Sequence, residues 1–166
     1  MNKQHMALSL SVGVLGGVSM MLAGAWNVYE IWIGFIAWGL FFKNGGDNNA
    51  LKMTITAGSY GAVVAGLFFF LSSNIDLGAL NNPLWIAITV FALMMGTQVA
   101  MFSCAPTAVC GYAATAGYIL LTAGGQMAQS VTTVGMSNPI VMVIITIIIG
   151  SAFGMLSGKV SSAIGG

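Results

Sequence analysis

Arginine is absent from this chain, and ionisable side chains of any kind are rare. Its 166 residues hold four lysines, three carboxylates and one histidine, so only 4% are charged. A soluble domain carries about 25% charged residues, and so sparse a set cannot cover a water-facing surface. Nucleic-acid binding is excluded too, because it needs a basic stripe and the net charge is +1. Proline is nearly missing, with three residues, so turns do not account for the 23 glycines. Cysteine is scarce as well. Cys104 and Cys110 flank Pro106, and the one histidine, His5, lies far from them in sequence. A zinc site usually needs four ligands from paired Cys or His. Residues six apart on a helix point about 240° around and share no face. A redox pair and a metal site are the alternatives, but the packing reading of free cysteine as a small apolar side chain fits better. No metal and no cofactor are expected.

What is abundant is apolar. Hydrophobic residues make up 58% of the chain, and mean hydropathy is +0.96. Six apolar segments can be read, at 6–24, 28–42, 51–71, 84–102, 109–123 and 140–157. About 20 residues are needed to cross the hydrocarbon of a bilayer as a helix. Four segments approach that length, and the second and fifth are shorter. The first has a basic start at Lys3 and a small-residue Ala23-Gly24-Ala25 end, as a signal peptide would, but is read here as a membrane helix. The expected fold is all-α, a polytopic membrane bundle of six helices forming one domain. Six crossings put Lys3, Lys43, Lys52 and Lys159 on one side, which the positive-inside rule makes cytoplasmic. Five or seven crossings would split them. Both termini are therefore expected inside, with Glu30 and Asp76 at the other face.

The loops agree with this reading. Any of Asp47, Asn48 and Asn49 can cap the third helix, and Pro83 suits the start of the fourth. The small, uncharged stretch 124–138 reads as an outer loop or a re-entrant segment. Pro106 suits the first turn of the fifth helix, with Ser103 before it.

The two halves, 6–72 and 84–157, can be superposed as three-helix repeats. Each has a short, glycine-interrupted middle helix, followed by Gly45-Gly46 in one half and Gly124-Gly125 in the other. Three crossings per half would make the repeats inverted, and interrupted helices at matching positions point to a transporter's central site.

Several side chains are candidates for a solute path. On the fifth helix Pro106 is a candidate and Gly111, Thr115, Tyr118 and Thr122 share a face, and on the third Lys52, Thr56, Ser59 and Val63 form a comparable line beside Tyr60. The bland alternative is hydroxyls bonding to their own helix or to neighbours, at about 0.6 kcal/mol each. Trp32, Phe35 and Trp38 are candidates for a hydrophobic constriction, against simple lipid-facing packing, whereas Trp26 and Tyr29 fit an interfacial belt. Glu30 sits near the outer end. Candidate helix-packing positions are Gly13 and Gly17, Gly58 and Gly66 with Ala62 between, and Gly150, Gly154 and Gly158. The last row offers either contact within the chain or a homo-oligomer interface.

"WIGFIAWGLFFKNGG", the downstream Lys52 and "PTAVCG" resemble the small bacterial inner-membrane proteins catalogued as domain of unknown function 1097. The resemblance rests on Trp32, Gly34, Phe35, Phe42, Gly45, Gly46 and Lys52, then on Pro106 and Gly111. It implies a multi-helix protein of the bacterial inner membrane and carries no activity with it. No nucleophile–base pair, metal cluster or phosphate loop is legible, so no enzyme is expected. The leading expectation is a passive channel or simple permease for a small neutral or weakly acidic solute. The helix N-termini and lysines of its cytoplasmic mouth would disfavour cations. The other class is an accessory membrane subunit that holds a partner through its glycine-rich faces.

Overall fold

The computed structural model describes residues 2–165 apart from Trp26 and Val28, and of residues 123–127 it describes the backbone alone. The expected belt position of Trp26, the segment start at Val28 and the side-chain surroundings of the Gly124-Gly125 pair therefore lie outside the described residues. Among the described residues six α-helices follow one another: α1 Lys3–Ala25, α2 Ile31–Lys43, α3 Asn48–Asn74, α4 Asn81–Gly96, α5 Ala105–Leu121 and α6 Pro139–Gly165. Among the described residues there is no strand. Short 3-10 turns cover Gly78–Leu80 and Ala100–Phe102, and a longer one covers Thr122–Thr132.

Among the described residues, four segments are long and apolar enough to cross a membrane: α1, α3, α6, and α4 counted from Gly78. The chain is thus a helical membrane protein. With 13 residues, α2 reaches only about 20 Å at 1.5 Å per residue, short of a hydrocarbon core of about 30 Å.

Local chemistry sets the ends of these helices. After α2, Gly46 N–H donates to Phe41 O (3.0 Å) and Gly45 N–H to Phe42 O (3.1 Å), a Schellman closure. It requires positive φ, +120° at Gly45 and +71° at Gly46, which glycine adopts without a Cβ clash. Asp47 then caps α3, its Oδ1 accepting from Ala50 N–H at 2.7 Å. Pro106 lies in the first turn of α5, as expected, but the helix begins at Ala105 rather than 109. The fourth helix ends at Gly96, earlier than the apolar run, and Ser103 donates its hydroxyl to Ala100 O (3.0 Å) in the turn that follows. Asn138 gathers the entry to α6. Its Nδ2 donates to Val131 O (2.9 Å) and Thr133 O (2.8 Å), and its Oδ1 accepts from Ile140 N–H (2.8 Å).

The chain forms two compact units. Unit 1 holds residues 1–54 and 145–166, and unit 2 holds 55–144. Unit 1 thus joins α1 and α2 to most of α6, and unit 2 joins α4 and α5 to most of α3. Each third helix packs with the first two helices of the other half of the sequence.

In unit 1, α6 crosses α2 at Gly150 and Gly34. A Cβ on Gly150 would land on the Gly34 carbonyl. One turn on, Gly154 lies under Phe41 and Trp38. Trp38 Nε1 donates to Ser157 Oγ (3.0 Å), Ser157 Oγ donates to Gly154 O (2.8 Å), and Ser11 Oγ donates to Ser157 O (2.8 Å). Phe153 stacks on Trp38 and Tyr29 at centroid distances of 5.7 and 6.5 Å. In unit 2, α3 crosses α5 at Gly58 and Gly111, again backbone on backbone, and Gly61 faces the Ala108 carbonyl. The core beside this crossing contains Val64, Phe68, Phe69, Leu93, Tyr112 and Ile119.

Candidate functional site

The α5 face expected to line a path is buried in unit 2. Gly111, Thr115 and Tyr118 are all buried, Gly111 is pressed against Gly58, and Thr115 Oγ1 donates back to Gly111 O at 3.0 Å. On α3, Lys52 is exposed in unit 1. Thr56 donates to Met101 O (2.7 Å), and Tyr60 donates to Ala92 O (2.8 Å) while stacking on Phe102 (4.6 Å). Val63 is exposed. Trp32 and Phe35 are 39% and 44% exposed on unit 1, whereas Trp38 beside them is buried. Tyr29, expected at an interface, is buried, with its hydroxyl 2.6 Å from that of Ser19. Glu30 precedes α2 and donates its N–H to Thr146 Oγ1 (3.2 Å).

Among the expected packing positions, Gly58, Gly66, Gly150 and Gly154 are used inside their own units, Gly66 lying against Ile140. The α6 row was open to two readings, and at Gly150 and Gly154 the contact is made within the chain. Gly13, Gly17 and Gly158 have nothing within 4 Å of where a Cβ would stand. Both cysteines are free thiols. Cys104 packs against the unit 2 core, with Sγ 3.0 Å from Thr107 Oγ1.

Two hydroxyls stand out. Among the described residues, Ser59 Oγ and Ser151 Oγ are buried without a hydrogen-bond partner. Ser59 follows Gly58 of the unit 2 crossing, and Ser151 follows Gly150 of the unit 1 crossing. Ser59 was on the list of path candidates and Ser151 was not. A sequence signal for it exists: Thr54-Ile55-x-x-Gly58-Ser59 recurs as Thr146-Ile147-x-x-Gly150-Ser151, and Gly66 recurs as Gly158 at the same spacing. On the short helices, Gly34-Phe35-x-Ala37 recurs as Gly111-Tyr112-x-Ala114.

Within unit 1, the two chain ends and the α2–α3 turn lie together. Gly165 lies against Ala7, and an open cavity of about 510 Å³ is lined by Gly46, Asp47, Asn48, Gly158 and Lys159. All four lysines belong to this unit. Unit 2 has a cavity of about 430 Å³ between the end of α3 and the 3-10 segment, lined by neutral polar groups of Ser73, Asn74, Gln129 and Thr132. No cluster of His, Cys, Asp and Glu that could hold a metal ion is found among the described residues.

A family model described as "Protein of unknown function (DUF1097)" matches residues 9–162. The chain belongs to the DUF1097 family. The match covers α2 to α5 and most of α1 and α6 of this DUF1097 protein, including both glycine crossings and both orphan serines. No curated protein and no solved structure matches it.

Proposed function

We propose that this DUF1097 protein is a passive channel or simple permease for a small neutral or weakly acidic solute, built from two inverted three-helix repeats in a bacterial inner membrane. One observation carries the reading. The contact between Gly34 and Gly150 in unit 1 becomes the contact between Gly111 and Gly58 in unit 2 when each residue is replaced by its counterpart in the recurring motifs. A chance recurrence of glycines would not reproduce a three-dimensional contact. The counterpart helices exchange partners, α6 packing with α1 and α2, and α3 with α4 and α5. Short, interrupted helices at matching positions of two such halves are the sequence mark of a transporter's centre.

Charge supports a solute that is not a cation. Residues 55–144 carry one ionisable carboxylate, Asp76, and no lysine. No carboxylate chain of the sort proton pumps use is present in that stretch. We read the protein as non-enzymatic for the same want of chemistry. The four lysines orient both termini to the cytoplasm.

The test is stopped-flow light scattering on proteoliposomes given a hyperosmotic pulse of a small amide, alcohol or short carboxylate. Shrinkage reports water and reswelling reports solute. Reswelling faster than in empty liposomes is expected for at least one solute, and rates equal to empty liposomes across the panel would reject the permease reading. An accessory subunit or homo-oligomer is the second reading, favoured by the open Gly13 and Gly17 on α1. Its mark would be stoichiometric co-purification with a second membrane protein, or a stable multimer.

A further inference from the structure

We infer that Ser59 and Ser151 are a repeat-related pair of solute-facing hydroxyls, one in each unit, that hydrogen-bond a small uncharged solute when the adjoining glycine crossing loosens. The inference rests on the repeat reading above and adds the residues that would contact the solute. Ser151 is fully buried, and the Ser59 hydroxyl oxygen is sealed from solvent. Both oxygens lack a partner. A buried polar group without a partner is costly, and folded proteins rarely keep one. Here the same cost occurs twice, at the same place in the recurring motif.

The neighbouring hydroxyls of that motif are satisfied. Thr54 Oγ1 accepts from Asn44 Nδ2 (3.0 Å), and Thr146 Oγ1 accepts from Glu30 N–H (3.2 Å). Polarity alone therefore does not explain the orphans, because the threonine five residues earlier is bonded in both copies. Each orphan also follows the glycine at which two backbones touch. Contacts between glycines put no interdigitating side chains in the way, so such a crossing can part without the repacking that side-chain ridges would require. A serine hydroxyl donates one hydrogen bond and accepts two. That suits water, a small amide or an alcohol. A charged solute would meet no counter-charge in the motif.

Two measurements test the pair, and thiol labelling and melting temperature are readouts independent of the flux experiment that tests the permease reading. The first uses a Cys104→Ala/Cys110→Ala background carrying Ser59→Cys or Ser151→Cys, labelled in native membranes with a small neutral methanethiosulfonate. Val143→Cys, at a fully buried core position, is the control. Both test positions should react, and faster than the control. Two inert thiols that label only after denaturation would overturn the inference, and one reactive with one inert thiol would overturn the pairing. The second measurement applies even where the cysteine variants fail to fold. Ser59→Ala and Ser151→Ala remove an unsatisfied hydroxyl, so each should melt at or above the parent temperature. Each should also slow reswelling about two- to tenfold, the range that one net hydrogen bond corresponds to. Lower melting temperatures would show that the hydroxyls have structural partners, and the inference would fall. Wild-type flux indifferent to both variants would sink the serines and leave the permease standing. Absent wild-type flux with both thiols reactive would sink the permease and leave the serines as water-accessible hydroxyls.

Discussion

Glycine at a helix crossing is a statement about distance, and this protein makes it twice. Gly150 and Gly111 each meet the backbone of a partner helix where a side chain would stand. Gly150→Ala and Gly111→Ala should therefore each destabilise by about 1–3 kcal/mol, the usual cost of overpacking. Gly13→Ala and Gly17→Ala, facing open space, should stay within about 0.5 kcal/mol of the parent, as surface changes do. Thermal unfolding in one detergent separates the two classes. Equal effects in both would mean that the crossings are not held as described. Trp38→Phe tests a polar contact at the same scale. It keeps most of the ring stacking but loses the bond to Ser157, so a cost of about 0.5–1.5 kcal/mol is expected. Replacing both cysteines by alanine should leave a folded protein with only lost packing at Cys104. Loss of assembly in that double variant would show that the thiols do more than pack.

At the scale of the elements, composition and apolar runs were enough to read six helices, and capping chemistry placed several of their ends. Asp47 and Pro106 sit where their side chains predict. The misplaced ends have a physical cause. Hydropathy continues past Gly96 through Val99, Ala100, Met101 and Phe102, so apolarity alone extends α4 where the backbone turns into a 3-10 segment. Helix faces were harder to read. The stripe of Gly111, Thr115 and Tyr118 is polar by residue type, yet it is buried, with Gly111 pressed against Gly58 and Thr115 bonded to its own helix. Serine and threonine can satisfy themselves locally, so a polar face by itself cannot separate a path from a packed seam. Ser151 was legible in principle through the recurring Thr-Ile-x-x-Gly-Ser motif. It was hidden because the expected repeat was aligned on glycine pairs in the short helices rather than on the third helix of each half. If the repeat holds, Gly58→Ala and Gly150→Ala, at counterpart positions of the recurring motif, should cost similar amounts. Melting temperatures that diverge widely would argue that the two crossings are not equivalent.

For the whole molecule, the uneven placement of charge is the organising feature. Unit 1 holds Lys3, Lys43, Lys52 and Lys159, and its chain ends lie together near the α2–α3 turn. Unit 2 is almost without charge. A juxtamembrane lysine biases its end of a helix toward the cytoplasm. In the proposed topology, three crossings in each half would carry the 75–80 segment, with Asp76, to the opposite face and return the C-terminus to the first. Moving charge should move topology. Lysines added at Asn74 and Asn81 should lower the yield of correctly inserted protein, whereas lysines added beside Lys159 should not. The inversion of the two halves is the central claim, and a dual-reporter topology map tests it most directly. A periplasm-active enzyme and a cytoplasm-active fluorescent protein are each fused after Asp76 and after Gly166. The account predicts periplasmic activity alone at the first site and cytoplasmic fluorescence alone at the second. The same reporter active at both sites would mean an even number of crossings between Asp76 and the C-terminus, and would contradict the inverted repeat.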